Sequence, residues 1–218
     1  MLRVAISGGS SDIGLSVSNE LCQRSVDTSI YSRNVSGVKF HENVKTNQVK
    51  DYKDLIFHES TNRLLICNGE FIFGNFHSLS SSEVGRLLDA NYLSLVQIIQ
   101  SFIKQTNSAE RRTVFVLGST ASYDLGPLTN VYASVKSGIK SLLTALNREY
   151  VDQDLRFSYI GLSTVNNSMG RRVPDQIEST LLNSDEVGKL VADLIISDSN
   201  YFIPEIVIRR RVIQNHLK

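Results

Sequence analysis

The stretch LRVAISGGSSDIG, residues 2–14, joins a short apolar run to a turn that is rich in glycine and serine. The apolar run predicts a buried strand over Leu2–Ser7, and the apolar spacing after the turn predicts a helix over Ile13–Arg24. Gly8 permits a tight turn, and Gly14 permits the helix to pack close to the sheet. Because the first N–H groups of a helix and its dipole attract anions, the stretch predicts a phosphate-binding loop.

The polar residues of this turn leave its role open. The hydroxyls of Ser10 and Ser11 can cap the helix and donate to a phosphate. Asp12 places a carboxylate where a negatively charged ligand would dock. In one interpretation it is a local cap that favours the helix dipole and points away from the ligand, and in another it repels the phosphate. A capped turn without any ligand is the third interpretation.

The composition limits the class of protein. The chain has 218 residues and a formal net charge of +1, which predicts one domain over residues 1–218 and gives no signal for binding nucleic acid or an anionic membrane. No apolar run approaches the roughly 20 residues of a membrane span. The 2 cysteines and 4 histidines lack the spacing of metal ligands. We therefore expect a cytoplasmic protein without a metal, nucleic-acid or membrane partner.

Apolar runs that predict strands alternate along the chain with amphipathic segments that predict helices. The further predicted strands are Thr28–Tyr31, Arg63–Cys67, Arg112–Leu117, Leu155–Gly161 and Glu205–Ile208. The further predicted helices are Ser82–Lys104, Val131–Tyr150 and Asp185–Ile196. Strands this apolar need cover on both faces, so the pattern predicts a doubly wound, mostly parallel sheet with helices on both faces. Ligands bind such sheets at the carboxyl ends of the strands.

The segment STASYDLGPLTNVYASVKSG, residues 119–138, has the residues of an acid–base site. Tyr132 and Lys136 are four positions apart on a predicted helix, so they share one face. A nearby ammonium lowers the pKa of a phenol, which makes Tyr132 a candidate general acid or base. Ser119 follows a predicted strand, where its hydroxyl can hold a substrate carbonyl oxygen. The alternative is a surface pair on an amphipathic helix.

Together, these motifs resemble the short-chain dehydrogenase/reductases. The residues from Gly8 to Gly14 are similar to the Gly-x-x-x-Gly-x-Gly fingerprint of that family, with Asp12 in place of the middle glycine. Ser119 precedes Tyr132 by 13 positions, as in the family pattern. The resemblance extends from Val4 to about Ile208 and implies a single-domain Rossmann fold.

The resemblance also implies a catalytic tetrad, in which Asn91 from LLDANYLSLV joins Ser119, Tyr132 and Lys136. In the family mechanism Tyr132 donates a proton to the carbonyl oxygen, and Ser119 orients that oxygen. Lys136 lowers the pKa of the tyrosine and bonds the nicotinamide ribose. Asn91 holds a water that links the lysine to a proton relay. By itself, Asn91 reads as a polar residue that interrupts a helix.

The end of the second strand bears on the cofactor. Ser32 stands where relatives that bind NAD usually have an acidic residue for the ribose hydroxyl, and Arg33 follows it. Because an arginine can pair with a 2′-phosphate, we expect NADP(H) to be preferred, with NAD(H) possible. The alternative is that Arg33 is an ordinary exposed loop residue. Equal losses of NADPH and NADH affinity on replacing Arg33 would count against the phosphate reading.

The resemblance assigns further residues to the cofactor. The complete predicted set is Gly8, Ser10, Ser11, Asp12, Ile13, Gly14, Ser32, Arg33, Asn68, Gly69, Tyr132, Lys136, Val165 and Asn167. Two departures put the affinity in doubt: Glu70 stands where glycine is usual, and Leu162-Ser163 replaces a Pro-Gly pair.

The carboxyl-terminal third leaves the substrate open. Residues 166–183 are expected to form a lid, in which Arg171-Arg172 either binds an anionic substrate group or faces solvent. The run Arg209–Arg211 reads as a solvated basic tail, as a subunit contact or as a site for an acidic partner. The resemblance implies a homodimer or homotetramer through the helices at residues 82–104 and 131–150.

Two functions therefore compete. The first is an NADP(H)-dependent oxidoreductase that reduces a small-molecule carbonyl or oxidises an alcohol, with Tyr132 as general acid/base. The second is a catalytically weak or inactive sensor or assembly protein that binds a dinucleotide on the same fold. The intact tetrad favours the first, and Asp12 and Glu70 favour the second.

Overall fold

Seven strands form one sheet in the computed structural model, which describes residues 1–107, 109–174, 176–197 and 199–211. The strands are β1 Arg3–Ser7, β2 Asp27–Ser32, β3 Lys45–Gln48, β4 Arg63–Ile66, β5 Arg112–Ser119, β6 Leu155–Leu162 and β7 Glu205–Ile208. Their spatial order is β3-β2-β1-β4-β5-β6-β7, and each neighbouring pair is parallel. The prediction of a doubly wound parallel sheet is confirmed.

Within the described residues, six α-helices connect these strands. They are α1 Asp12–Gln23, α2 Ser81–Leu88, α3 Ser94–Gln105, the single turn α4 Ala121–Asp124, α5 Asn130–Glu149 and α6 Ser184–Ile196. Side-chain caps start several of them: Ser80 and Glu83 form a reciprocal capping box at α2, and Asn183 caps α6. Within the described ranges, no helix has the length and apolar character needed to cross a membrane.

Each face of the sheet carries its own apolar core. On one face, Val17 of α1 and Val191 of α6 pack against strand residues such as Ile6 and Ile160. On the other, Phe102 of α3 and other residues of α2, α3 and α5 pack against the alternate strand positions. This division follows from the strand periodicity of two, because successive side chains point to opposite faces. The helices thus cover both faces, as the apolar strands require.

Three elements differ from the sequence prediction. Strand β3 was not predicted, because its sequence KTNQ is exposed, has no apolar residue and pairs only with β2 at the sheet edge. The helix predicted over Ser82–Lys104 is divided into α2 and α3 by a π-helical turn at Asp89–Leu93. The strand predicted to end at Leu117 continues to Ser119, because β6 pairs with it to that point.

The chain order of the strands determines where a ligand can bind. From β1 the chain proceeds outward to β2 and β3, and then crosses to β4 on the other side of β1. The connections after β1 and β4 therefore leave in opposite directions and open a crevice at the carboxyl ends of these strands. Ser7 ends β1 and Ile66 ends β4, so the segments beginning at Gly8 and Cys67 form its walls.

Candidate active site

A cavity of about 400 Å³ lies at the carboxyl ends of the central strands. It brings together most of the predicted site residues: Ser10, Ser11, Asp12, Ile13, Asn68, Gly69, Asn91, Ser119, Tyr132, Lys136, Val165 and Asn167 all line it. The predicted residues that do not line it are Gly8, Gly14, Ser32 and Arg33. The two glycines belong to the turn that carries the lining residues, and Ser32 and Arg33 lie at the end of β2.

The glycine-rich turn has a shape that only glycine permits at two points. Gly8 has a φ of +73°, and a Cβ there would lie 3.0 Å from the backbone nitrogen of Asn68. A Cβ on Gly14 would lie 2.8 Å from the Cα of Gly9. Ser11 is the N-cap of α1, and its hydroxyl accepts a hydrogen bond from the Gly14 N–H at 3.2 Å. The first turn of α1 is thereby held at the cavity wall.

Asp12 takes a different role from the one predicted. The cap of α1 is Ser11, so the interpretation of Asp12 as the local cap is corrected: Asp12 is the first helical residue. Its carboxylate accepts hydrogen bonds from the N–H and hydroxyl of Ser168, at 3.3 and 3.4 Å. Because Asp12 also lines the cavity, its charge lies near any ligand bound there.

The end of β2 is joined to the glycine-rich turn. Ser32 is buried, and its hydroxyl lies 2.5 Å from that of Ser10. Arg33 is exposed, and its guanidinium lies above the ring of Tyr52, 5.6 Å from the centroid. The sequence analysis did not identify Tyr52, because it follows the unpredicted strand β3 and belongs to no local motif.

Tyr132 and Lys136 lie on the inner face of α5. Their exposed fractions are 8% and 4%, so the alternative of a surface pair is wrong. The ammonium nitrogen of Lys136 lies 5.6 Å from the centroid of the Tyr132 ring. Ser119, the last residue of β5, lines the same cavity as Tyr132, and its hydroxyl accepts a hydrogen bond from the Ala121 N–H at 3.1 Å.

Burial controls the protonation of both groups. It raises the pKa of Tyr132 to about 12, and the hydrogen bond from Ser119 acts in the opposite direction. It lowers the pKa of Lys136 from 10.5 to about 8. The predicted lowering of the Tyr132 pKa is therefore wrong for this structure, because loss of phenolate solvation outweighs the favourable contacts.

Asn91 lies in the π-helical turn and is 1% exposed. Its amide nitrogen donates to the carbonyl oxygens of Leu87 and Glu70, both at 2.9 Å. Its Oδ1 has no hydrogen-bond partner among the described residues. A Cβ on Gly69 would lie 2.9 Å from this oxygen and 3.5 Å from the Lys136 nitrogen, so the two polar groups converge at Gly69. A π-helical turn of this kind is frequent at functional sites.

The sequence profile of the short chain dehydrogenase family matches residues 3–178. The chain belongs to the short-chain dehydrogenase family. An alcohol dehydrogenase from Thermococcus sibiricus, complexed with 5-hydroxy-NADP, has a TM-score of 0.82 and 18% identity, covering 98% of this chain and 99% of that chain. A 3-ketoacyl-(acyl-carrier-protein) reductase from Brucella melitensis, complexed with NADH, has a TM-score of 0.83 and 15% identity, covering 95% and 96%.

A curated sequence from Schizosaccharomyces pombe is also similar. It is a PIGF/3-ketodihydrosphingosine reductase fusion protein, 24% identical over an alignment of 187 residues, and the match covers 75% of this chain. The chain spans 37% of the length of that protein.

The site of this short-chain dehydrogenase has groups that fit a dinucleotide. Three buried oxygens have no hydrogen-bond partner in the described part of the chain: the hydroxyl of Ser7 and the side-chain oxygens of Asn68 and Asn91. All three stand at the crevice between β1 and β4 or beside Lys136. Acceptors of this kind match ribose hydroxyls, and the glycine-rich turn offers backbone N–H groups to a pyrophosphate.

The two departures from the family pattern do not block this cavity. The Glu70 carboxylate points to Arg86, with a closest distance of 3.9 Å, and Glu70 does not line the cavity. Leu162 continues β6, and Ser163 donates its N–H to the Ile208 carbonyl at 2.9 Å. The strand thus continues through the position of the usual Pro-Gly pair, and the residues after it lead to Val165, which lines the cavity.

Residues 166–183, where a lid is predicted, are held by contacts within the segment. Arg171 bonds the Asn166 side chain at 2.9 Å and lies 3.9 Å from the Glu178 carboxylate. Neither Arg171 nor Arg172 lines the cavity, so the structure gives them no contact with a substrate there. Of the predicted lid, Asp175 lies outside the described residues.

The arginines after β7 contact the same region. Arg209 makes two hydrogen bonds to the Asp124 carboxylate, at 2.8 and 2.9 Å, and Asp124 lines the cavity. Arg210 donates to Gln176 in the lid at 2.7 Å. Arg209 and Arg211 are exposed, as the interpretation of a solvated run expects, while Arg210 is half-buried; the register with β6 places β7 beside the cavity. The residues after Arg211 lie outside the described part of the chain.

Proposed function

We propose that the protein is an NADP(H)-dependent oxidoreductase that reduces a carbonyl group or oxidises the corresponding alcohol. One observation carries the proposal: Ser119 and the buried groups of Tyr132, Lys136 and Asn91 meet in one cavity, next to a glycine-rich turn shaped for a pyrophosphate. Lys136 is buried beside the Tyr132 phenol and has no carboxylate partner among the described residues. A purely structural role does not explain this arrangement, because burying an unpaired charge is costly.

The residues act as follows in carbonyl reduction. With a pKa of about 12, Tyr132 holds its proton at neutral pH and donates it to the carbonyl oxygen. Ser119, which lines the cavity together with Tyr132, orients that oxygen. Lys136 is largely an ammonium below its pKa of about 8 and stabilises the phenolate that forms. When bound, the nicotinamide supplies the hydride that reduces the carbonyl carbon.

Arg33 supports a preference for NADP(H). The second strand ends without a carboxylate, since Ser32 is buried and bonds Ser10. Arg33 follows it and is exposed, with its guanidinium supported by the Tyr52 ring. A guanidinium held in this way can pair with a 2′-phosphate, whereas a free ribose hydroxyl finds no acidic partner at residue 32.

The cavity lining supports an apolar ketone as the substrate. Beside Tyr132 it carries Phe71, whose ring packs edge-to-face at 5.0 Å, together with Met169 and Val173. The similarity to a protein that includes a 3-ketodihydrosphingosine reductase makes ketones with an aliphatic chain the first to test.

Calorimetric titration followed by turnover assays tests the proposal. We expect NADPH to bind in the micromolar range and NADH more weakly, and turnover with at least one aliphatic ketone. Tyr132→Phe should retain the binding and lose the turnover. If NADPH binds and no ketone or alcohol in a broad panel is turned over, the alternative of a sensor or assembly protein is favoured. The observation that favours this alternative is the Asp12 carboxylate at the cavity.

We also propose that the chain forms a homodimer or homotetramer through the α2–α3 and α5 segments. Leu88 precedes the π-helical turn and Leu93 ends it, and both side chains are exposed, at 43% and 50%. Exposed leucines on this segment favour burial in a subunit contact. Light scattering during gel filtration tests this: a monomer at micromolar concentration would contradict it, and Leu93→Asp should dissociate the oligomer.

A further inference from the structure

The backbone of Ser119 has an unusual hydrogen-bond partner. The last register pair between β4 and β5 is Ile66 with Val116, so Ser119 lies beyond the end of β4. On the β6 side the next residue, Thr120, donates to the Leu162 carbonyl at 2.9 Å. Successive residues of a strand direct their backbone hydrogen bonds to the strands on opposite sides. Because Thr120 bonds β6, the Ser119 N–H points to the other side, where β4 has already ended. There it donates to the phenol oxygen of Tyr159 at 2.9 Å.

Gly118 makes room for this contact. Tyr159 extends from β6 and is 1% exposed. A Cβ on Gly118 would overlap the ring and hydroxyl of Tyr159, so any other residue at this position would displace the phenol. The glycine and the tyrosine therefore form a matched pair across neighbouring strands.

The Tyr159 hydroxyl also contacts the turn that follows Ser119. It lies 3.2 Å from the Ser119 carbonyl oxygen and 3.1 Å from the hydroxyl of Ser122. The Ser122 hydroxyl donates to the same carbonyl at 2.7 Å. Burial raises the pKa of Tyr159, so the phenol keeps its proton. One neutral hydroxyl thus holds both backbone polar groups of Ser119.

We propose that Tyr159 is a positioning residue, which holds the Ser119 hydroxyl in place for the carbonyl oxygen of the substrate. The inference rests on the proposed function, because it assigns Tyr159 a part in the same reaction. With its backbone fixed by Tyr159, the Ser119 hydroxyl accepts from the Ala121 N–H at 3.1 Å and lies in the cavity that Tyr132 also lines. Small shifts of such a hydroxyl weaken its bond to the oxyanion more than they weaken substrate binding.

Kinetics of Tyr159→Phe test the inference, with Tyr31→Phe as the matched control. Tyr31 is also buried, and its hydroxyl donates to a backbone carbonyl, that of Ile56, at 3.0 Å. We expect Tyr159→Phe to lower kcat about tenfold with KM within about twofold, and Tyr31→Phe to leave both near the wild-type values. In a Ser119→Ala background, Tyr159→Phe should have no further effect on kcat. An unchanged kcat, or a full additional loss in that background, overturns the inference.

A second measurement is independent of turnover. In protein labelled with ¹⁵N-serine, the amide hydrogen of Ser119 should exchange at least about tenfold faster in Tyr159→Phe than in the wild type and Tyr31→Phe. Equal exchange rates in the three proteins overturn the inference. If the wild type turns over no ketone or alcohol, the proposed function fails, and the exchange rates alone then decide whether Tyr159 holds Ser119.

Discussion

Asp12 joins the first turn of α1 to the segment that follows β6, because its carboxylate accepts hydrogen bonds from the N–H and hydroxyl of Ser168. The two residues are 156 positions apart in the chain. The turn that offers N–H groups to a pyrophosphate and the segment that covers the cavity are thereby connected. The same carboxylate places a negative charge in the cavity lining.

Replacing Asp12 separates these two roles. Asp12→Asn keeps an oxygen that can accept from Ser168 and removes the charge that faces the phosphates. We expect NADPH to bind about fivefold tighter, equivalent to about 1 kcal/mol of relieved repulsion, with a smaller gain at high salt. Calorimetry measures both, with Glu149→Gln at the exposed end of α5 as the control. Weaker binding would instead indicate that the charge is needed to hold Ser168.

The burial of Lys136 predicts a cost in stability. Its pKa is about 8 in the folded protein and ordinarily 10.5. Between these values the unfolded chain binds more protons, so the free energy of unfolding rises with pH in this window, and the full cost applies below about pH 8. The difference of about 2.5 pH units corresponds to about 3 kcal/mol.

We therefore expect Lys136→Met to abolish turnover and to raise the free energy of unfolding by up to about 3 kcal/mol at neutral pH. Urea denaturation measures this, and the gap to the wild type should shrink by about 1 kcal/mol at a pH one unit above the Lys136 pKa. Lys189→Met, on the exposed side of α6, is the control. If the variant is less stable than the wild type at neutral pH, burial of the Lys136 ammonium does not cost stability, and the prediction is contradicted.

The raised pKa of Tyr132 predicts different pH profiles for the two reaction directions. Carbonyl reduction needs the protonated phenol, which dominates below about pH 12. Alcohol oxidation needs the phenolate, so its rate should rise with pH by up to tenfold per unit below the pKa. Steady-state rates across neutral and alkaline pH measure this. Tyr132→Phe should lower kcat at least about a hundredfold while NADPH still binds. An oxidation rate that ignores pH would exclude Tyr132 as the base.

Arg33 should distinguish the two cofactors. In Arg33→Ala we expect the Kd of NADPH to rise about tenfold or more, because a 2′-phosphate loses its cation, and the Kd of NADH to change less than about threefold. Titrations of both cofactors provide the comparison within one variant, and Arg148→Ala on α5 controls for loss of surface charge. Equal losses for both cofactors would mean that Arg33 is an ordinary loop residue.

Local patterns predicted much of this fold because the information is local. The apolar runs of β1 and β5 mark buried parallel strands, and four-residue spacing places Tyr132 and Lys136 on one face of α5. Strand β3 was not predicted, because an exposed edge strand needs no apolar residue and so has no apolar pattern. The π-helical turn was not predicted because the apolar positions on both sides of it fit one continuous helical spacing; its contact from the Asn91 amide to the Glu70 carbonyl joins distant positions and has no local signal.

What the sequence by itself determined is the family, the order of strands and helices, and which residues could carry the chemistry. Only the tertiary structure decided how these residues meet: Asp12 with Ser168, Arg209 with Asp124, and Tyr159 beneath Gly118. These contacts join segments far apart in the chain, whose relative positions follow from strand register and crossovers. The pKa directions of Tyr132 and Lys136 likewise depend on burial, which arises when both cores close around the sheet and water is removed.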